Sequence, residues 1–215
     1  RLFYIFFFLL FSCRTIDYNP PVYYTDYFPI ELNSSKEYFV TSISHSSFGT
    51  DSSSYFLKET ISELFIDDQG DSAYKLERFW KMDSLENFII KDIWVIKKTT
   101  SSAELVEENE RFIKMIFPLT KYSYWNGNSY NGRSIQEYSI ENLHSNYFIN
   151  GFNFDSTVTV IQNYISNQIE YESEKEVYAK GLGLIYKENI ILNINNGDIL
   201  DINYGSEFKK KLIDY

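Results

Sequence analysis

The feature that most limits what this chain can fold into is a succession of strand-like runs separated by short polar links. Residues 37–44, 55–66, 73–81, 88–98, 112–119, 157–163 and 174–193 are each rich in Tyr, Phe, Ile, Val or Thr. Such side chains suit a pleated, half-buried surface. The links carry turn chemistry, as in Asp67-Asp68-Gln69-Gly70-Asp71 and Asn195-Asn196-Gly197-Asp198. No helical stretch of 10–15 residues separates the runs, so a parallel sheet with crossover helices is disfavoured. The expectation is a mainly β fold. It is read as an antiparallel meander forming a strongly curved sheet or open barrel, with few short helices.

Composition agrees. Among 215 residues there are 19 Tyr and 18 Phe, but only 9 Gly and 4 Pro. That length fits a single domain with a sizeable core. Residues 136–150 are ambiguous between strand and irregular chain. Gly181 and Gly183 inside a strand-like run suggest a bulge or sharp bend. Residues 207–215 are read as one short helix, with Lys209, Lys210 and Lys211 on its solvated face.

The single cysteine, Cys13, excludes an internal disulfide and a multi-cysteine metal site. It follows an unbroken apolar run, residues 2–11, and Ser12. At about 1.5 Å per residue this run reaches only about half of a roughly 30 Å hydrocarbon layer. It is too short to span a bilayer as a helix and matches the apolar region of an export signal. Arg1 flanks it with a positive charge, and the missing Met makes an incomplete charged flank the expectation.

Leu10-Phe11-Ser12-Cys13 resembles the lipobox of bacterial lipoproteins. Phe11 is bulkier than the usual residue at its position. The resemblance implies diacylglyceryl transfer to the Cys13 thiol, cleavage between Ser12 and Cys13, and acylation of the new amino group with a palmitate-type chain. Residues 1–12 would then be a signal peptide, 13–29 a lipidated tether and 30–215 one β-rich domain. Arg14 stands where Gram-negative lipoproteins retained at the inner membrane commonly carry Asp, so the resemblance implies the outer membrane. The stretch Tyr178-Ala179-Lys180-Gly181-Leu182-Gly183-Leu184 also resembles a strand in uncharacterised lipoproteins of Gram-negative envelopes. In the tether, Asn19-Pro20-Pro21 favours extended chain. Tyr23, Tyr24, Tyr27 and Phe28 are expected to dock on the domain.

The formal net charge is −10, which repels phosphate backbones and argues against nucleic acid as a partner. No catalytic residues are assigned. His45 and His144 could each pair with a Ser on paper, but no Gly-x-Ser-x-Gly elbow is present. Asp67, Asp68 and Asp71 lack the spacing of a calcium loop and read as a hairpin turn. No cofactor or metal is expected. The candidate ligand-binding side chains are Trp125, Trp80 and Trp94. Trp125 leads because it precedes a turn-rich loop. The chain is therefore read as a lipid-anchored envelope protein that binds an apolar or carbohydrate ligand, or an envelope protein, without catalysis. The alternatives are a structural or assembly component of an outer-membrane complex and an envelope polymer hydrolase. An apolar ligand requires a cavity of several hundred Å³ lined by Phe, Tyr and Ile.

Overall fold

A computed structural model describes residues 22–215. Cys13, Ser12, the apolar run and Asn19-Pro20-Pro21 lie outside the described residues. Twelve antiparallel strands form one sheet. They are β1 (Ser35–Ser46), β2 (Gly49–Ile66), β3 (Ser72–Lys81), β4 (Ile89–Lys98), β5 (Ser102–Glu107), β6 (Glu110–Ile116), β7 (Tyr124–Asn126), β8 (Glu137–Ile149), β9 (Phe152–Ser166), β10 (Glu170–Ala179), β11 (Gly183–Asn195) and β12 (Asp198–Asp214). Among the described residues the only helical element is a 3₁₀ turn, Thr25–Tyr27.

Apart from β6 and β7, each strand pairs with its neighbours in sequence, and β1 also pairs with β12, giving the order β6-β5-β4-β3-β2-β1-β12-β11-β10-β9-β8-β7. The meander expected from the spacing of the strand-like runs is present, curled into a nearly closed barrel. At its seam the Ile113 N–H of β6 donates to the Gly127 carbonyl just past β7, at 2.9 Å. The Trp125 indole N–H donates to the Ile113 carbonyl, also at 2.9 Å. Asn131 Nδ2 reaches the Arg111 carbonyl at 3.0 Å. Gly127 lies flat on the Tyr138 ring, where a Cβ would sit 2.4 Å from a ring carbon.

The C-terminal helix expected over residues 207–215 is not there. Those residues continue β12, pairing with β1 through Glu37↔Asp214 and Val40↔Lys210. Period-two alternation wins over local helix preference because Phe208, Lys210 and Leu212 all turn inward. Lys210, read as solvated, is 5% exposed. The ambiguous residues 136–150 form β8. Its ladder with β9 shifts register at Ile140/Asn142, Leu143/Ser145 and Ser145/Tyr147, which scrambles the alternation.

One end of the barrel is closed by the chain leading into β1. Tyr27 is fully buried in the main core cluster with Met115, Leu119, Trp125, Val158 and Tyr178. Its hydroxyl lies 2.6 Å from His144 Nδ1 and 2.7 Å from Ser156 Oγ. Lys98 Nζ donates to the Phe28 carbonyl at 2.9 Å, and the Gly181 N–H to the Asp26 carbonyl at 2.8 Å. This stretch forms a plug, and burial raises the Tyr27 phenol above its ordinary pKa.

Candidate functional site

Inside the barrel lies a cavity of about 110 Å³. This corrects the expectation of several hundred apolar Å³. The space is small because charged side chains cross it. Its lining holds five cationic groups, Lys36, Arg78, Lys114, Lys187 and Lys210, against two carboxylates, Glu59 and Glu176.

Two clusters result. In the first, Glu59 accepts from Arg78 Nε at 3.1 Å and from Lys210 Nζ at 2.7 Å. Arg78 Nη1 also donates to both oxygens of Asp92 at 2.9 Å. The Arg78 guanidinium stacks 3.4 Å from the centre of the Trp94 ring, and Lys210 Nζ stands 4.0 Å over Tyr38. In the second, Glu176 meets Lys114 at 2.7 Å and Lys187 at 3.3 Å, and accepts from the Tyr178 hydroxyl at 2.6 Å. The two clusters therefore tie β2, β3, β4 and β12 together on one side, and β6, β10 and β11 on the other.

Burial would raise both glutamates, since a buried charge is costly. It is outweighed in each case. Lys210 and Arg78 hold Glu59 below the usual carboxylate range. Lys114, Lys187 and the Tyr178 hydrogen bond bring Glu176 down to about 2. The cations show the reverse. Burial pushes Lys210 down to about 8 despite Glu59. Burial also lowers Lys36, with Glu59 and Glu31 opposing.

Even with Asp92 included, five cations face three carboxylates around the lumen. Among the described residues Lys36 has no carboxylate within ion-pair distance, although Glu59 and Glu31 act on it from farther away. It donates to the Leu182 carbonyl at 2.8 Å and borders a surface notch beside Pro29 and Gly181. Trp94, also in the lining, has its indole N–H buried with no partner among the described residues. The cavity thus carries a net excess of two cations, with Lys36 the one lining cation that has no ion pair among the described residues, and one orphaned donor.

The tryptophans proposed from sequence separate. Trp94 faces the lumen. Trp125 is 7% exposed and fastens the barrel seam, edge-on to Tyr138. Trp80 is half-buried and packs edge-on to Tyr55. His45 bonds Glu207 at 3.0 Å and Thr50 at 3.2 Å. Asp67 and Asp71 embrace Lys97 Nζ at 2.8 and 2.6 Å, and the Lys97 hydrogen bond is the main reason the Asp67 carboxyl falls to about 2. The acidic hairpin turn thus holds a lysine. Sequence reading missed the lumen lysines and glutamates. The signal was a charge occupying the apolar parity of a strand, as in Leu57-x-Glu59-x-Ile61 and Phe208-x-Lys210-x-Leu212.

No protein-family model matches the sequence, and no curated protein matches it. Among solved structures the chain is similar to one described as "a putative lipoprotein from Parabacteroides distasonis", at 11% identity, covering 87% of this chain and 98% of that one, with a TM-score of 0.31. A TM-score this low leaves fold and role to be argued from the chain itself.

Proposed function

We propose that the chain is a lipid-anchored protein of the bacterial cell envelope, held at the outer membrane, whose barrel binds a small anion without catalysis. Leu10-Phe11-Ser12-Cys13, with Arg14 after it, supports the address. One observation carries the ligand: the lumen of an acidic protein gathers cations that its own carboxylates do not neutralise. An unpaired charge away from water costs several kcal/mol. A bound anion supplies the missing partner, and Trp94 can donate to it.

Titration calorimetry at pH 7 with inorganic phosphate, sulfate and acetate tests the ligand. At least one should bind, about tenfold more weakly or worse in Lys210→Met, and binding should fade as pH rises through about 8, where Lys210 loses its proton. Silence from all three anions sinks the lumen reading. Metabolic labelling with a fatty-acid analogue tests the anchor, with label expected on the wild type and lost in Cys13→Ala. Equal label in both ends the envelope address.

A second reading, an assembly component docked on another envelope protein, is favoured by apolar side chains at hairpin tips. Phe48 is 100%, Leu85 94% and Leu200 87% exposed.

A further inference from the structure

Outside the barrel, a second and larger concavity of about 720 Å³ lies over β5 and β6. The β2–β3 turn bounds it on one side and the loop between β7 and β8 on the other. Strand alternation places it: Leu105 lines the lumen, so its neighbours Glu104 and Val106 face outward into the cleft. The loop is held over β6 by the Asn131–Arg111 bond and braced within itself by a bond from Asn131 Nδ2 to Asn128 Oδ1 at 3.2 Å.

The charges around this cleft are already spoken for. Lys97 is paired with Asp67 and Asp71, and Glu110 with Arg133. Arg111 donates to Gln69 Oε1 at 3.2 Å. What remains toward the open space is hydroxyl and amide chemistry, and the Tyr130 ring, which is 56% exposed.

One group is not satisfied. Glu104 is 4% exposed, and Ser102 Oγ donates to its Oε1 at 2.8 Å. Its Oε2 is buried with no hydrogen-bond partner among the described residues. Arg111 Nη1 forms a long ion pair with that oxygen at 3.7 Å, which balances its charge but is too far for a hydrogen bond. An orphaned carboxylate oxygen in a cleft of paired charges calls for a neutral O–H donor.

We propose that this cleft is a saccharide-binding site, independent of the lumen, in which Glu104 accepts from a sugar hydroxyl and Tyr130 packs on a sugar face. An aromatic ring supplies apolar area for the C–H face of a pyranose, while hydroxyl and amide groups answer its rim. Entry of the hydroxyl displaces the Arg111 side chain, which among the described residues is held by one hydrogen bond to Gln69 and the long ion pair with Glu104.

Saturation-transfer NMR on the full chain in detergent, with maltose, cellobiose and chitobiose as probes, tests this. At least one disaccharide should receive saturation at its ring protons. Glu104→Gln keeps the shape of the side chain but turns one oxygen into a donor, and should weaken binding tenfold or more. Tyr130→Ala removes only an exposed ring and should do the same with no change in Tm. Lys210→Met should leave sugar binding intact, which separates this site from the lumen. Signal from none of the three sugars overturns the proposal, and so does a signal that both cleft variants keep undiminished. A signal from methylammonium instead, lost in Glu104→Gln, overturns it in favour of a cation site.

Discussion

The barrel wall is continuous where the first and last strands meet and thinnest where β6 and β7, neighbours in sequence, meet. β1 and β12 are separated by most of the chain, yet nine residue pairs join them, from Glu37↔Asp214 to His45↔Gly205. β6 and β7 are separated by a short loop, yet they hold each other through the Ile113–Gly127 backbone bond and a few side-chain bonds. The difference shows that closure here does not depend on a full ladder. Trp125, the plug and the Lys114–Glu176 pair hold the thin side from within.

The largest effect should come from Glu176→Gln, which leaves the buried Lys114 and the half-buried Lys187 without their carboxylate. A loss of about 3–5 kcal/mol is expected in denaturant unfolding. Replacing all three together by Leu or Met should recover much of it, and a triple variant as unstable as the single one would show that the loss does not come from the unpaired lysine charges. The pH dependence has a definite sign. Glu176 titrates near 2 when folded and near 4.3 when unfolded, so its contribution is full above about 4.3 and is lost as pH falls toward 2. Glu176→Gln should flatten that limb of the curve.

A smaller loss, roughly 1–3 kcal/mol, is expected for Gly205→Ala on the strong side. Gly205 has φ +146°, and a Cβ there would meet the Ile191 carbonyl at 2.2 Å. A wild-type Tm would show that the β11–β12 contact yields easily. The smallest effect tests the comparison without mutation. In hydrogen exchange, the Ile113 amide should open at least tenfold more readily than that of Val40, a difference of about 1.4 kcal/mol. Equal protection would mean that the seam is as firm as the β1–β12 ladder.

Much of this architecture was legible from residue order. Strand formers broken by Asp/Asn-Gly links specify a meander, and the links at residues 67–71 and 195–198 form turns as read. β12 was hidden because Lys209, Lys210 and Lys211 look solvated together, whereas alternation sends one of the three inside. β8 was hidden by its bulges. The lumen was illegible for a different reason. Glu59, Arg78, Lys114, Glu176, Lys187 and Lys210 come from six strands and meet only on closure, so no local spacing announces them. The outer cleft depends likewise on where the loop after β7 folds back.

The stretch around Tyr27 has a mechanical consequence. From Val22 to β1 the chain is held by a phenol wedged among core side chains, by its two short contacts to His144 and Ser156, by backbone bonds from Gly181 and Leu119, and by a lysine grasping carbonyls. A tug from that direction would strain these few bonds before any strand pair, and Phe28 and Pro29 are themselves part of the lumen lining. Tension on the leading segment would therefore uncork the interior first and unravel the wall last.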